Sequence, residues 1–391
     1  MGTYVRKLGE AFRKGDLLLL MFCLVTNAFG CLVISSTTNA MGSLRYVIIQ
    51  IVAALLGVML YVIVSSIDAE FWAEHRSALV AFNTVLLLML IPFGTDNGTG
   101  NKSWLDFPLL PIDIQPAEIC KITYILIMAS VMNSHQNRLS SIPSVAHMVL
   151  HLGLLVGLNM VLSGDAGVSL IFVFIFIGMA FAGGVSLIWF LVAGGGIAVI
   201  FPFIWNFVMD DYQRLRIEIL FNPDLDPLGV GARYHTARSL RSITGGGMTG
   251  QGLFNGHRTQ MEDALYAQHT DYIFSAIGEE LGYVGCTMVM VMLLVIIIRI
   301  IWVGTRSQDY MRRLICFGAA SAMIFQCMSN IGMCIGLTPV IGLTLPFISY
   351  GGSSLVTLYA MLGLVSGVYA RPAATSHERY IRPPYARRYK E

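Results

Sequence analysis

The residues best suited to chemistry are acidic and lie where a polar stretch runs into a long apolar one: His269-Thr270-Asp271-Tyr272-Ile273-Phe274, followed by Glu279 and Glu280. From position 273 to 301 the chain is almost continuously apolar. Asp271 is therefore expected at or just before the first turn of a membrane-crossing helix, facing a water interface. With a rise of about 1.5 Å per residue, Glu279 falls roughly 12 Å deeper, and the helical period puts Asp271, Ser275 and Glu279 on one face. A carboxylate inside a bilayer costs roughly 2.5–3.5 kcal/mol even on lenient insertion scales, so it is by default functional or paired. The competing role for Thr270 or Asp271 is to cap the helix.

A second polar set follows Gln115: Pro116-Ala117-Glu118-Ile119-Cys120-Lys121. Pro116 suits the first turn of a helix, which puts Glu118 and Lys121 at i and i+3 on one face. Lys121 is expected to neutralise Glu118 or, across a polar cavity, Glu279. A third set lies in the long polar stretch 210–272, where Arg233, Arg238 and Arg241 precede Gly245-Gly246-Gly247-Met248-Thr249-Gly250-Gln251-Gly252. Arginines beside flexible backbone amides can hold a phosphate; without a Gly-Lys-Ser/Thr the run is no nucleotide P-loop. Ser163-Gly164-Asp165-Ala166-Gly167 reads as a tight turn with Asp165 as N-cap. Thr338 to Ser354 breaks the hydrophobic pattern without a charge. Such irregular backbone is tolerated near a membrane when it is buried or lines a cavity, and Ser353 or Ser354 can cap the helix that follows.

The elements that must position these groups are membrane helices. The 391 residues are 55% hydrophobic and only 12% charged, and the mean hydropathy is +0.69. A soluble protein usually carries about 25% charged residues. Spans of about 20 apolar residues are expected near 17–35, 46–66, 77–93, 116–134, 145–162, 166–182, 185–209, 273–301, 314–336 and 353–370. The reading is an all-α polytopic integral membrane protein, one domain over 1–391, with about ten transmembrane helices and one long extracytoplasmic loop, 210–272, between helices 7 and 8. Lys and Arg in the short loops put both termini, 1–16 and 371–391, in the cytoplasm. The first span should stay as a signal anchor. Gln50 is expected in a helix–helix hydrogen bond, and Gly194-Gly195-Gly196 with Pro202 suggests close approach and a kink in the seventh span. The seven cysteines all fall within spans, as packing residues and neither disulfides nor metal ligands. The net charge of +2 gives no sign of nucleic-acid binding.

Four blocks together resemble the SEDS family of bacterial envelope proteins, the group of RodA, FtsW and SpoVE. They are Gln115-Pro116-Ala117-Glu118 with Lys121; Asp211-Tyr212 to Gly229; His269 to Phe274 with Gly278-Glu279-Glu280-Leu281-Gly282; and Asn330 with Leu345-Pro346-Phe347 to Ser354. The resemblance runs from the second span to Arg371. It implies ten transmembrane helices in the bacterial cytoplasmic membrane and polymerisation of peptidoglycan glycan strands from lipid II at its outer face. It also implies a class B penicillin-binding protein as partner, and it puts the family's catalytic aspartate on Asp271. The chain departs from the family pattern at Arg238-Ser239, Tyr266-Ala267, Lys102-Ser103 and Ser163-Gly164.

The chemistry can also be argued without the family. Transfer of a sugar from its pyrophosphate releases a good leaving group, so it needs a base for the attacking hydroxyl and cations for the departing pyrophosphate. Asp271 is the expected base. Glu118, Lys121, Arg233, Arg238, Arg241, His269, Glu279, Ser349 and Tyr350 are the expected substrate contacts. A divalent cation, Mg or Mn, is an option that the chemistry leaves open. The competing classes are a lipid II flippase, which would also suit intramembrane Glu and Lys, and a non-catalytic scaffold of envelope synthesis.

Overall fold

A computed structural model describes residues 14–95, 101–106, 113–207, 209–227, 229–231, 233–261 and 267–371. The expectations for Arg6, Lys7, Arg13, Leu228, Tyr266, parts of the first large loop and the tail from 372 lie outside the described residues.

The apolar runs become helices close to the expected limits. In order they are α1 (Leu17–Thr37), α2 (Arg45–Ser66), α3 (Arg76–Leu88, prolonged by Leu90–Phe93), α4 (Pro116–Ser134), α5 (Ile142–Ser163), α6 (Ala166–Gly183) and α7 (Leu187–Phe207). Then come α8 (Asp211–Phe221) and α9 (Tyr234–Gly246) in the long polar segment, and finally α10 (Ile273–Arg306), α11 (Tyr310–Cys334) and α12 (Gly352–Ala370). Among the described residues nine helices are long and apolar enough to cross a membrane. The tenth long helix is α4, which carries Glu118 and Lys121 and is sheathed by protein, with nearly all of its side chains buried. Among the described residues the strand pairing is a two-residue antiparallel ladder, β1 (Gly94–Thr95) with β2 (Trp104–Leu105), extended by a bridge from Leu105 to Ile114.

Small residues set the closest packing, as expected where lipid removes the hydrophobic drive between helices. A Cβ on Gly363 of α12 would lie 2.7 Å from the Tyr61 carbonyl oxygen of α2, and one on Gly57 would lie 2.6 Å from the Tyr359 ring. The glycines of α7 do something else. A Cβ on Gly194, Gly195 or Gly196 would meet nothing within 4 Å, and no residue of α7 is buried. The close approach expected there is absent, and α7 stands at the edge of the bundle. Gln50 also bonds differently from expectation: its amide joins the Ser349 carbonyl (3.1 Å) and the Gly351 N–H (3.3 Å), so it ties α2 to the irregular segment before α12.

The helix after Asp271 is two helices. Gly282 has φ 66° and ψ −161°, which breaks α10 into 273–281 and 283–306. The second piece alone, about 36 Å long at 1.5 Å per residue, is enough to cross a bilayer core of about 30 Å. The crossing therefore does not require the short piece that carries Glu279 and Glu280, and any acidic stripe ends at the Gly282 break.

Candidate active site

Asp271 sits on a turn that is gripped from the far end of the chain. Ala267 takes a left-handed φ of 53°, and its carbonyl accepts from the N–H groups of Thr270 (3.1 Å) and Tyr272 (3.2 Å). Three successive carbonyls of the turn are then held from outside it. His269 O accepts from Tyr350 N (2.9 Å), Thr270 O from Ser349 Oγ (2.6 Å) and Asp271 O from Asn330 Nδ2 (2.8 Å). The Asn330 amide also donates to Leu343 O at 2.7 Å, and Ser349 Oγ accepts from Leu345 N at 2.8 Å. The uncharged segment before α12 is thus a backbone clamp on the Asp271 turn. Ser349, expected to touch substrate, is used up in that clamp. Ser353 and Ser354 do not cap α12, whose N-cap is Gly351.

The clamp fixes the backbone and leaves the acid free. The N-cap of α10 is Tyr272, and no side chain caps it, so the capping role open to Thr270 or Asp271 is not taken. The Asp271 carboxylate is partly buried and takes no hydrogen bond among the described residues. It points toward Gly342, at which a Cβ would lie 3.6 Å from Oδ2. Burial, and after it the negative charge of Asp165, push its pKa up to about 6. An unbonded carboxylate poised near neutrality is suited to accept a proton.

Asp165 is the neighbour that the sequence reading assigned only to capping. It does cap α6, accepting from Val168 N at 3.0 Å, and it also accepts from Gln115 Nε2 at 3.2 Å. Burial, opposed by the Val168 N–H and reinforced by the charge of Glu118, raises its own pKa. Glu118 pairs with Lys121 at 2.6 Å, both side chains being buried, and receives Thr357 Oγ1 at 3.2 Å. Lys121 therefore neutralises Glu118 and not Glu279. Beside the Asp271 turn, the rings of Tyr46, His269 and Tyr350 cluster with centroids 4.8–5.7 Å apart. Burial lowers the pKa of His269, which keeps the ring neutral, and its Nδ1 has no partner among the described residues.

Glu279 and Glu280 are spent on structure. Glu279 accepts from Arg258 N (2.9 Å), Thr259 N (3.1 Å) and Thr259 Oγ1 (2.8 Å). Glu280 accepts from Ser36 Oγ (2.6 Å) and Gln260 Nε2 (3.1 Å). Both carboxylates pin the segment 250–260, which corrects the expectation that Glu279 binds substrate. The glycine run is equally committed. Gln251 N and Gly252 N donate to the carbonyls of Glu279 (3.0 Å) and Glu280 (2.9 Å), while Tyr283 N donates to Gly247 O (2.9 Å). Its glycines allow backbone to pass backbone at the Gly282 break, and these amides are not offered to an anion.

Of the three expected arginines, Arg233 and Arg238 are half-buried and Arg241 is exposed. Arg238 lies over the Tyr234 ring, 4.2 Å from its centroid. The helix that carries them, α9, packs on 273–281: Ser239 Oγ meets Ser275 Oγ and donates to Cys334 O at 2.6 Å. The Arg216 charge bears on both His235 and Tyr272, next to Asp271. Sequence reasoning passed over Arg216 as a site residue and gave Asp165 a capping role alone. The signals that would have found them were an arginine pair opening the polar segment and an acid inside a Gly-flanked turn.

A polytopic helical membrane protein with a free, raised carboxylate at the start of a long helix is the class that fold and site define. The family model of the FtsW, RodA and SpoVE group, described as "Cell cycle protein", matches residues 16–372. The chain belongs to this family. It is 32% identical over 362 residues to the peptidoglycan glycosyltransferase MrdB of Escherichia coli K12, which covers 90% of this chain and 93% of that one. It is 31% identical over 376 residues to a probable peptidoglycan glycosyltransferase FtsW of Geobacter metallireducens, covering 94% and 97%. Among solved structures, a chain from a study of polymerisation and crosslinking by a peptidoglycan synthase complex matches with a TM-score of 0.77 at 25% identity, over 94% of this chain and 99% of that one. The RodA crystal structure from Thermus thermophilus matches with a TM-score of 0.67 at 23% identity, over 92% and 98%, a likeness of fold.

Proposed function

We propose that this chain is a peptidoglycan glycosyltransferase that extends glycan strands from lipid II, with Asp271 as its general base. The single observation that carries the assignment is the Asp271 carboxylate: its backbone is clamped through three carbonyls, it makes no hydrogen bond among the described residues, and it titrates near 6. In the reaction, Asp271 takes the proton of the 4-hydroxyl of the acceptor N-acetylglucosamine. That oxygen forms a bond to the anomeric carbon of the donor N-acetylmuramic acid as the bond to the lipid pyrophosphate breaks, with inversion. Arg216, Arg233, Arg238 and Arg241 are the candidates to receive the pyrophosphate charge. Lys121, paired with Glu118 at 2.6 Å, offsets the negative charge that Glu118 places beside Asp165.

The divalent cation expected from the chemistry is carried as a proposal. Among the described residues no group of three His, Cys, Asp or Glu could hold a metal alone. The ion would arrive on the pyrophosphate oxygens, with Asp165 as the protein ligand, and would supply positive charge to the leaving group. The Asp271 face is assigned to the outside of the cytoplasmic membrane with both termini inside, from the distribution of Lys and Arg. A class B penicillin-binding protein is the proposed partner. The experiment gives the purified protein, with that partner, lipid II already in detergent, where flipping is irrelevant. Glycan ladders that vanish in Asp271→Asn are the expected result; no ladders from the folded parent complex would overturn the assignment.

A further inference from the structure

One peptide group connects α2 to the turn of Asp271. The unit that joins Ser349 to Tyr350 accepts on its oxygen from Gln50 Nε2 (3.1 Å) and donates through its N–H to His269 O (2.9 Å). The next unit, Tyr350 to Gly351, donates its N–H to Gln50 Oε1 at 3.3 Å. Gln50 is fully buried, and both ends of its amide go to these two groups. A peptide unit is planar, so a rotation that frees its oxygen from Gln50 also swings its N–H away from His269. Hydrogen bonds in such a chain polarise one another, which strengthens each.

The same face of α2 supports the turn at a second point. Tyr46, one helical turn before Gln50, packs its ring on those of His269 and Tyr350, with centroids 4.8 and 5.1 Å away. The backbone of α1 closes on the segment as well, since a Cβ on Gly30 would lie 2.6 Å from the Phe347 carbonyl oxygen. The Asp271 carboxylate takes no hydrogen bond among the described residues, so its direction depends on the backbone that carries it. We infer, on the reading of Asp271 as the base, that Gln50 is a positioning residue for it: Gln50 fixes the Ser349–Tyr350 peptide group, and that group fixes the backbone at His269, two residues before the acid.

The test uses the full-length protein with its partner and lipid II in detergent. Gln50→Met keeps the length of the side chain and removes both hydrogen bonds. Its kcat should fall roughly 10- to 100-fold with the KM for lipid II unchanged, the usual result of a small misplacement at the reacting atoms. The acid limb of the rate should also move to lower pH, because a loosened turn admits water to a carboxylate whose pKa burial had raised to about 6. Asp165 on the cap of α6, Tyr272, and Cys334 of α11 are the titratable groups in electrostatic contact with Asp271; exchanging neutral Gln for neutral Met alters none of them. Ser349→Ala combined with Gln50→Met should cost no more than the larger single effect, since both lie on one path. The control is Thr123→Val, which removes a buried bond from Thr123 Oγ1 to Asn83 Oδ1 between α4 and α3. It should lower the melting temperature and leave kcat and the limb as in the parent; a limb moved equally there would mark a general structural effect and overturn the inference. Gln50→Asn, a methylene shorter and unable to reach both groups, carries the test if the Met protein does not fold. A folded Gln50→Met protein with the parent's kcat and limb would overturn the inference and leave Asp271 as the base, whereas undiminished product from Asp271→Asn would overturn both.

Discussion

Two acidic sites share one short helix and are used in opposite ways. At its start, Asp271 has its backbone held by three long-range hydrogen bonds while its carboxylate is left bare. Two turns on, Glu279 has its carboxylate saturated by two backbone N–H groups and a hydroxyl. Both lie in a partly desolvated environment, so location does not separate them. Bonding does: the lone pairs of Glu279 are taken by protein donors, whereas those of Asp271 stay open to a substrate hydroxyl, and burial raises the Asp271 pKa toward the pH at which it can accept and release a proton. The structure spends polar donors on the acids that anchor the 250–260 segment and withholds them from the acid that reacts.

The variant that breaks this contrast most severely is Asp271→Asn. Asn keeps the size but cannot take the proton, and polymerisation is expected to fall by at least about 10²-fold, the usual share of a general base. Stability should move the other way. Because the folded-state pKa of Asp271 is raised to about 6, its contribution to stability is full below about pH 4 and is lost as pH rises through 6. At pH 7.5 the Asn protein should therefore melt about 2 °C or more above the parent, and the difference should close by pH 4. The parent's rate should climb with pH on an acid limb centred near 6, which Asp271→Asn should lack. Near-normal product from a folded Asn protein would return Asp271 to a structural role.

Lys121→Met tests the buried pair behind the site. Removing one member of a buried ion pair typically costs about 3–5 kcal/mol. Adding Glu118→Gln should recover part of that loss, whereas adding Glu279→Gln should be strictly additive, as expected for groups without shared partners. Recovery with Glu279→Gln instead would put Lys121 back across the cavity. Glu279→Gln by itself should cost about 1–3 kcal/mol, through loosened contacts to Arg258 and Thr259. Product formation should be kept at low temperature, where the 250–260 segment stays docked.

The helices were legible because length and apolarity decide them, and the Gln115-Pro116 start and the Asp165 cap follow from one-residue rules that the structure obeys. What could not be read was partner choice. Glu279 looked like an intramembrane acid because the apolar run continues past Gly282 without a break in composition. The single glycine that splits the helix, and the donors at Arg258 and Thr259 about twenty residues earlier, are visible only in three dimensions. The glycine run 245–252 misled for a related reason. Glycine signals that something passes close, and here it is the backbone of 278–283, though the same composition would serve an anion. The Asn330, Ser349 and Tyr350 clamp joins residues about 60 to 80 positions apart, a pairing for which a single sequence carries no signal.

The smallest effect is expected where the contrast is least sharp, among the arginines of α9. Arg238 is half-buried and stacked over Tyr234 at 4.2 Å, one turn from exposed Arg241 on a helix docked against 273–281. Stacking on an aromatic face contributes about 0.5–1 kcal/mol at an exposed site, so Arg238→Gln should lower the melting temperature only slightly. Its main effect should be electrostatic. Attraction between exposed charges is screened within about 10 Å at 0.1 M salt. If Arg238 receives pyrophosphate charge, the Gln variant should use lipid II several-fold less well at low ionic strength and approach the parent as salt rises. Arg241→Gln, farther into solvent, should show the weaker version of the same trend. If Arg238 serves only to hold Tyr234 and the helix, lipid II use by parent and Arg238→Gln will differ by a constant factor at every salt concentration, and the pyrophosphate contact passes to Arg216 and Arg233.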